Sequence, residues 1–356
     1  MYDRGKADDL RQRIESFDRV DLAMLPTPLV ELKNLTRVLD GPRIFMKRDD
    51  LTGGITFGGN KTRMLEFRMA PAIQANADVV VSGFGVQSNH ARQVAAAARK
   101  LGMDVSLILR RTPYEPAASI QGNLLIDLLL GAQIQVIDAT IEEQAERIAE
   151  EVKRQKRMGR RPYETGYHDE DLSAVAYTAC GLELHEQFDA MGIEPSLLMV
   201  ASEGATQAGL HLFASHVDSS CRVVGVNMVD WVPNIRVRIS EIANAAAARL
   251  DLPDRVMPED IANVELTYRG QAYGIPTEEG LEAIRLVAEA EGILLEPVYS
   301  AKGMACLIDE IRDGKISRDE TVVFLHTGGL PALFCYADVF QFPEFGLEGF
   351  DVGKEQ

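Results

Sequence analysis

The chain has 356 residues, of which 46% are hydrophobic and 26% charged, which is typical of a globular protein with a sizeable buried core. Its formal net charge of −17 argues against binding along nucleic acid or on an anionic membrane, because both are negatively charged themselves. The N-terminal residues lack the apolar core of a signal peptide, and no apolar stretch reaches the roughly 20 residues of a membrane span. The four cysteines form no C-x-x-C pair, so we expect reduced thiols, no metal site and a cytoplasmic protein.

Short apolar runs alternate along the chain with longer helical patterns. The runs contain little alternation of polar and apolar residues, which is typical of strands that are covered on both faces. Together with the intervening helices, they predict an α/β fold with mostly parallel sheets and flanking helices. The predicted strands are residues 78–82, 105–109, 133–138, 197–201, 223–226 and 321–325.

Capping signals mark two of the predicted helices. Thr140 and Glu143 fit a capping box, in which each side chain accepts a hydrogen bond from the other residue's backbone N–H group. A second helix is predicted to begin at Thr277 and to stop near Gly292. No flexible linker separates the α/β units, so the cleft between them is the natural place for a ligand.

A glycine-rich segment, residues 53–59, precedes Lys61 at the start of a helix predicted at residues 62–70. Glycines allow the backbone to approach a ligand closely. A lysine held in a desolvated, cation-rich setting has a lowered pKa, and its amine can then form a Schiff base. The segment predicts either such a reactive lysine or a surface lysine after a flexible loop.

A second candidate site follows the predicted strand at residues 78–82, where Ser88, Asn89 and His90 open the next helix. The unpaired N–H groups of a helix N-terminus, together with these side chains, suit a carboxylate or a phenolate oxygen. A helix capped by Ser88 or Asn89 without any ligand is the alternative. The Gly-x-Gly at residues 83–85 resembles the start of a dinucleotide-binding motif, but alone it is weak evidence.

Small residues also follow the predicted strand at residues 197–201. Gly204, Ala205 and Thr206 fit a phosphate cradle made of backbone N–H groups and a hydroxyl. Glu203 fits this cradle poorly, because a carboxylate beside a phosphate is repelled unless it turns away.

A third strand end, at residues 321–325, is followed by Thr327 and two glycines. Ligands of open α/β sheets gather at the carboxyl ends of the strands, so the three strand ends predict one site. Tyr273 and Tyr299 lie in loop-like sequence, and a structural role is the alternative for each. A lysine, a phosphate cradle and a carboxylate-binding helix end, without a nucleotide fingerprint, together indicate pyridoxal phosphate.

The sequence resembles the pyridoxal-phosphate-dependent 1-aminocyclopropane-1-carboxylate deaminase/D-cysteine desulfhydrase family. This family is a branch of the tryptophan-synthase-β-like enzymes, called fold type II. The resemblance runs from Leu25 to Pro331, nearly the whole chain, and the joint order of its motifs is highly specific. The matching motifs are residues 46–50, 58–63, 87–90, 206–210, 273–276, 297–299 and 326–330.

The resemblance implies a two-domain architecture. A small domain at residues 64–172 would be inserted into a large pyridoxal-phosphate-binding domain made of residues 1–63 and 173–356. The active site would lie in the cleft between the two domains. A homodimer or a higher homo-oligomer is implied as well.

The resemblance also implies a role for each candidate side chain. Lys61 would bind the cofactor covalently and move the α-proton, while Ser88 would act close to the reacting carbon. Asn89 would contact the cofactor, and Ser88, Asn89 and His90 would line the substrate carboxylate. The remaining implied contacts are the phosphate with Gly204, Ala205 and Thr206, the pyridine nitrogen with Thr327, and the substrate with the catalytic residues Tyr273 and Tyr299.

The implied reaction is α,β-elimination from a small β-substituted amino acid, giving a 2-oxo acid and ammonia, as in the D-cysteine desulfhydrase branch. The deaminase branch carries a glutamate where this chain has Ser300 and a leucine where it has Thr327, so cyclopropane ring opening is disfavoured. The alternatives are a deaminase of the 1-aminocyclopropane-1-carboxylate type, a cysteate or hydroxy-amino-acid lyase, and a catalytically altered protein that binds pyridoxal phosphate or an amino acid.

Residues 163–172 depart from the family pattern, which has a Gly/Ser-rich stretch near the substrate at this point. Asp169, Glu170 and Asp171 in this segment fit either a plain solvated loop or a site for a cationic group of the substrate. The departure predicts a substrate that differs from D-cysteine.

Overall fold

The computed structural model describes residues 2–111, 120–166 and 169–340 of the protein. No helix in these ranges is both long enough and apolar enough to cross a membrane. The helices are α1 (Arg4–Glu15), α2 (Lys33–Leu39), α3 (Asn60–Arg68), α4 (Ala70–Gln74), α5 (Asn89–Lys100), α6 (Gly122–Leu129), α7 (Ile141–Arg157), α8 (Glu170–Met191), α9 (Ala205–His216), α10 (Ile235–Arg249), α11 (Glu278–Glu291), α12 (Ser300–Arg312) and α13 (Leu330–Leu333).

The strands form two separate sheets. The larger sheet has the order β1-β2-β10-β7-β8-β9, and its neighbouring strands run parallel except for the β1–β2 pair. The smaller sheet has the order β5-β4-β3-β6 and is entirely parallel. The strands are β1 (Leu29–Glu31), β2 (Arg43–Arg48), β3 (Val79–Gly85), β4 (Asp104–Arg110), β5 (Gln133–Ile137), β6 (Pro162–Glu164), β7 (Leu197–Ala201), β8 (Arg222–Asn227), β9 (Ala262–Glu265) and β10 (Thr321–His326).

The central strands of the larger sheet have a hydrophobic core on each face. In β10, Val323 and Leu325 belong to one core, whereas Val322 and Phe324 belong to the other. Successive side chains of a strand point to opposite faces, so a strand covered on both sides is apolar throughout. This arrangement explains the missing alternation in the sequence and confirms the predicted α/β class.

The smaller sheet has its own hydrophobic core, packed mainly against α5. Its four strands lie between residues 79 and 164, inside the segment predicted as the small domain. The domain boundaries at residues 64 and 172 themselves stay a prediction.

Both predicted capping arrangements are present. Thr140 Oγ1 accepts a hydrogen bond from the Glu143 N–H group, and Glu143 Oε2 accepts one from the Thr140 N–H group, at 3.2 and 2.7 Å. Thr277 caps α11, which ends at Gly292 in the left-handed conformation. The helix predicted at residues 62–70 is displaced, because α3 begins at Asn60 and ends at Arg68.

Candidate active site

One cleft lies where β7 and β10 of the larger sheet end, and the ends of β3 and β4 of the smaller sheet border it as well. The N-termini of α3, α5 and α9 meet there, so the unpaired N–H groups of three helices surround the same space. Every site residue predicted from the sequence lines this cleft: Lys61, Ser88, Asn89, His90, Gly204, Ala205, Thr206, Tyr273, Tyr299 and Thr327.

Lys61 is held by a close approach of two loops. Gly59, the N-cap of α3, has a φ of 118°, which favours glycine. The next residue, Asn60, donates its backbone N–H to the carbonyl oxygen of Thr327 at 3.0 Å. A Cβ atom on Gly328 would lie only 2.8 Å from the Cα of Gly59. Because Gly59 and Gly328 have no side chains, the two loops approach closely, and Lys61 and Thr327 lie on the same wall of the cleft.

The environment of the Lys61 amine disfavours its protonated form. Burial lowers the pKa of Lys61, and the nearby Arg68 cation lowers it further, while Glu203 and Glu170 oppose this shift. A lysine that gives up its proton readily can act as a nucleophile and as a base. The amine is desolvated, as the reactive-lysine interpretation required, but its setting is not rich in cations, because two carboxylates and one arginine act on it.

The N-terminus of α5 is capped by a serine that also faces the cleft. Ser88 Oγ accepts hydrogen bonds from the backbone N–H groups of His90 and Ala91, at 3.1 and 3.2 Å. The capping alternative is therefore present in the structure. It leaves the hydroxyl hydrogen free to be donated to a ligand, so capping and ligand binding are compatible at this residue.

His90 lies between an aromatic ring and a cation. Its imidazole stacks on Phe84 with a centroid distance of 4.2 Å, and its Nε2 is 3.0 Å from the Nη1 of Arg68. Burial places the pKa of His90 well below its usual value, and Arg68 and Lys61 act in the same direction. The ring is therefore neutral, with Nε2 accepting from Arg68, and its Nδ1 carries the hydrogen.

The turn before α9 offers backbone donors. Ser202 Oγ accepts hydrogen bonds from the N–H groups of Gly204 and Gln207, at 3.3 and 3.2 Å. Ala205 and Thr206 form the first turn of the helix, whose N–H groups have no partner inside the helix. A Cβ atom on Gly204 would lie 3.2 Å from Ile242 Cδ1, so a side chain would crowd this turn. The turn therefore fits a phosphate group.

Glu203 does not turn away from the cleft, so the poor fit noted in the sequence analysis is present in the structure. Its side chain lines the cleft, and its Oε2 is shut off from solvent without a hydrogen-bond partner among the described residues. Burial raises the pKa of Glu203, while Lys61 and Arg238 oppose the rise. The raised pKa disfavours the charged carboxylate, which lessens its repulsion of an anionic group in the cradle.

An aromatic wall is formed by Tyr273, Tyr299 and Trp231. The two tyrosine hydroxyls are 2.8 Å apart, and Trp231 packs edge-on against Tyr273 at 5.0 Å. The carboxylate of Glu296 accepts the backbone N–H of Tyr299 at 2.7 Å. It also accepts that of Ser300 at 2.8 Å. A buried glutamate thus fixes the loop that presents Tyr299 to the cleft.

The acidic segment at residues 169–171 is neither a plain solvated loop nor an open cation site. Arginines pair with all three carboxylates: Arg68 with Asp169 at 3.7 Å, Arg238 with Glu170 at 2.6 Å, and Arg249 with Asp171 at 2.5 Å. Tyr167 and His168, which belong to the same departure from the family pattern, lie outside the described residues.

The sequence reasoning missed several cleft residues, namely Arg68, Arg110, Trp231 and Tyr336. One of them had a detectable signal. Lys61, Met64 and Arg68 all line the cleft, and their spacing of three and then four residues is that of one helix face. The others come from distant loops and strand ends, whose meeting depends on the tertiary fold. The Gly-x-Gly at residues 83–85 has a packing role instead, because a Cβ on Gly83 would lie 2.5 Å from Ile148 Cδ1.

Known proteins match the chain over most of its length. A family model described as pyridoxal-phosphate dependent enzyme matches residues 20–328. A D-cysteine desulfhydrase of Serratia proteamaculans is 37% identical over 334 residues, covering 92% of this chain and 98% of the relative. A 1-aminocyclopropane-1-carboxylate deaminase of Burkholderia multivorans is 35% identical over 337 residues, again covering 92% of this chain and 98% of the relative.

Solved structures give the same picture. The crystal structure of an ACC deaminase homologue superimposes with a TM-score of 0.82 at 32% identity and covers 93% of this chain and 98% of its own. A threonine deaminase of Solanum lycopersicum has a TM-score of 0.64 at 16% identity, covering 96% and 95% of the two chains, and supports the fold alone. The predicted tryptophan-synthase-β-like fold, fold type II, is confirmed. The chain belongs to the pyridoxal-phosphate dependent enzyme family.

Proposed function

We propose that the chain is a lyase that carries out α,β-elimination on a small β-substituted amino acid, in the manner of a D-cysteine desulfhydrase. The observation that carries the proposal is the common position of three features in one cleft. These are the amine of Lys61 with its lowered pKa, the N–H cradle of α9, and the polar N-terminus of α5. Pyridoxal phosphate, when bound, supplies an aldehyde that captures the substrate amine and a ring that withdraws electrons from Cα.

The side chains of this protein divide the remaining work. Lys61 takes the proton from Cα, because the lowered pKa of its amine favours the neutral form that can accept a proton. The Cβ–substituent bond then breaks, and the substituent leaves with the bonding electrons. Ser88, Asn89 and His90 hold the substrate carboxylate at the start of α5, where the helix dipole favours an anion.

The other cleft residues hold the cofactor and close the site. We propose that Gly204, Ala205 and Thr206 hold the phosphate and that Thr327 faces the pyridine nitrogen. Tyr273 and Tyr299 face the substrate, and the 2.8 Å hydrogen bond between their hydroxyls fixes the two side chains relative to each other.

The release of a 2-oxo acid from a substrate panel tests this function. We expect turnover of D- or L-cysteine, β-chloroalanine, serine or cysteate, with ammonia formed in equal amount. The ring-opening of 1-aminocyclopropane-1-carboxylate is expected to be slower than the best elimination. A protein that binds pyridoxal phosphate but turns over no member of the panel would contradict the proposal and favour a binding role.

We further propose a cytoplasmic homodimer or higher homo-oligomer, with domain boundaries at residues 64 and 172. Two observations support this. All four cysteines are buried and free of disulfides, which suits a reducing compartment. Leu125, Leu128 and Leu129 on α6 are exposed, and apolar exposure of this kind is typical of contact surfaces. Light scattering of the purified protein measures the oligomeric state, and a monomeric mass contradicts this part.

A further inference from the structure

Two arginines of the cleft have no part in the reaction as proposed above. Arg68 lies on α3, two helical turns after Lys61, and Arg110 is the last residue of β4. Both line the cleft. The Nε atom of each is buried and has no hydrogen-bond partner within residues 2–111, 120–166 and 169–340. An unpaired N–H of a buried guanidinium is costly, which indicates that a ligand completes the contact.

The other contacts of Arg68 aim its guanidinium at the substrate side of the cleft. Its Nη1 lies 3.0 Å from the Nε2 of His90, and its Nη2 donates to the hydroxyl of Thr165 at 2.9 Å and to the carbonyl oxygen of Gly166. The side chain is only 1% exposed. The hydrogen-bond partners of Arg68 are therefore all neutral groups, which leaves its charge available to an anion apart from the more distant Asp169.

The surrounding carboxylates do not neutralise this cation well. Asp169 is 3.7 Å from Arg68, beyond hydrogen-bond distance, and Glu170 is engaged by Arg238 at 2.6 Å. Burial lowers the pKa of Arg68 although both carboxylates oppose the shift. The positive charge at this place is therefore incompletely compensated, which is the arrangement that binds a negatively charged group in a low-dielectric site.

We propose that Arg68, assisted by Arg110, selects substrates whose β-substituent is itself an oxyanion. The class comprises amino acids with a sulfonate or a phosphate ester on Cβ, because these groups can leave with the bonding electrons as sulfite or phosphate. This inference rests on the proposed function for the position of the amino acid, and it names the substrate class of that same site. Arg68 would thus determine specificity, and a planar guanidinium suits an oxyanion better than it suits a thiol.

The same cation would favour departure of such a substituent. When the Cβ–substituent bond breaks, the leaving group takes the electron pair and gains negative charge beside Arg68. A cation already in place stabilises that charge without reorganisation. In this step the Cα–H and Cβ–substituent bonds break, the proton moves to Lys61, and the substituent departs as an anion with the electron pair of its bond to Cβ.

Binding to the holoenzyme tests the charge preference separately from turnover. Trp231 is the only tryptophan of the chain and lines the cleft, so its fluorescence can report occupancy. Aspartate and asparagine form one matched pair of probes, because they differ in charge but hardly in size, and cysteate and serine form a second. Both enantiomers of each are titrated. We expect the charged member of each pair to bind about 10- to 100-fold more tightly.

Three substitutions locate the preference. In Arg68→Gln the preference for the charged probe is expected to fall to within about threefold, with binding of the neutral probe nearly unchanged, and Arg110→Gln should give a partial loss. Arg160→Gln is the matched control, because Arg160 pairs with Asp78 and Asp104 at 3.0 and 2.8 Å, and neither it nor these partners line the cleft. If Arg68→Gln does not fold, Arg68→Lys and Arg110→Gln carry the test.

The binding of charged and neutral probes distinguishes a role of Arg68 in specificity from a role in binding the α-carboxylate. An equal loss for charged and neutral probes in Arg68→Gln would mean that Arg68 binds the α-carboxylate, and it would overturn the proposal. A wild-type protein without any charge preference would overturn it too. Failure of the elimination itself has a different signature, since no probe then gives a 2-oxo acid while the charge preference in binding persists.

Discussion

Two groups of charged side chains each include residues of α3, and they differ in how completely they are paired. The first, here called the scaffold cluster, consists of Lys47, Asp49, Arg63 and Glu183. Arg63 contacts Asp49 and Glu183, each at 2.8 Å, and Lys47 contacts Glu183 at 2.5 Å. The second group is the charged side of the cleft, formed by Lys61, Arg68, Arg110, Glu170 and Glu203.

How completely the charges are paired determines the direction in which the pKa values of each group shift. Burial alone would raise the pKa of Asp49, but the Arg63 guanidinium holds that pKa below its usual value. In the cleft the opposite holds, because burial lowers the pKa of Lys61 and raises that of Glu203. Charges that satisfy one another support the fold, whereas charges that burial disfavours are available to a ligand.

The largest expected effect is on turnover in Lys61→Ala. Elimination should slow by about 10³-fold or more, because the base that removes the α-proton is lost, and the visible absorbance of covalently bound cofactor should disappear. Steady-state kinetics and an absorbance spectrum measure the two effects. Thermal unfolding is the control, since Lys61 belongs to the cleft and its loss should leave stability nearly unchanged. A variant that keeps both turnover and spectrum would remove Lys61 from the reaction.

A substitution in the scaffold cluster should lower the stability of the protein, in contrast to the loss of turnover without loss of stability expected for Lys61→Ala. Arg63→Met leaves the carboxylate of Asp49 buried without its arginine and leaves Glu183 with Lys47 alone, so we expect the free energy of unfolding to fall by about 3–5 kcal/mol. Denaturant titration measures it. Arg236→Gln is the control, because the Arg236–Glu265 pair is exposed and is worth below about 1 kcal/mol. Equal losses of unfolding free energy in the two variants would mean that burial does not make the scaffold cluster more important for stability than an exposed ion pair.

Much of this organisation could be predicted from local sequence. Apolar runs without alternation predicted the buried parallel strands, and glycines next to Thr206 or Thr327 marked strand ends where the ligand site forms. These signals are local, because a strand, a cap or a tight turn depends on a few neighbouring residues. The members of the site were therefore predicted as separate motifs, and the structure brings them to one cleft.

The charge pattern of the cleft could not be predicted in the same way. In the sequence, Glu203 conflicted with a phosphate cradle, because the sequence does not show that burial raises the pKa of this carboxyl. Asp169 and Glu170 looked free because their arginine partners, Arg68 and Arg238, are far away along the chain. Ionisation depends on burial and on partners in space, and both are properties of the folded chain.

Arg92 and Asp127 are buried charged residues that do not line the cleft. They therefore show what incomplete pairing does to ionisation at a place where no ligand is proposed. Both carboxylate oxygens of Asp127 lack a hydrogen-bond partner in the described part of the chain. Burial raises the pKa of Asp127 to about 8, although Arg92 opposes the rise. Burial also lowers the pKa of Arg92 to about 10.

Asp127→Asn should therefore change how stability depends on pH. The folded protein binds a proton at Asp127 between about pH 4 and pH 8 that the unfolded chain has released, so unfolding free energy falls as the pH rises through this window. The asparagine does not titrate. We expect the variant to match the wild type near pH 4 and to exceed it by up to about 5 kcal/mol at pH 8. Urea titrations at both pH values measure this, and a difference that is constant with pH contradicts it.

The smallest expected effect is that of Glu203→Gln on cofactor binding, and it tests why a carboxyl can lie in a phosphate cradle. Below the raised pKa of Glu203 the carboxyl is uncharged, and the amide is nearly isosteric, so the dissociation constant of pyridoxal phosphate should change by less than about threefold. Above that pKa the carboxylate repels the phosphate. The variant should then bind the cofactor more tightly, by up to about tenfold.

Removing this carboxylate also acts on Lys61. Glu203 raises the pKa of the Lys61 amine, so its loss lowers that pKa further and favours the neutral amine that reacts with an aldehyde. Both effects have the same sign at high pH, and both vanish once the wild-type carboxyl is protonated. Equilibrium titrations of the apoprotein over a range of pH distinguish this from direct contact, because only the electrostatic effect grows as the pH rises. Weaker binding by the variant at every pH would mean that Glu203 donates a hydrogen bond to the cofactor.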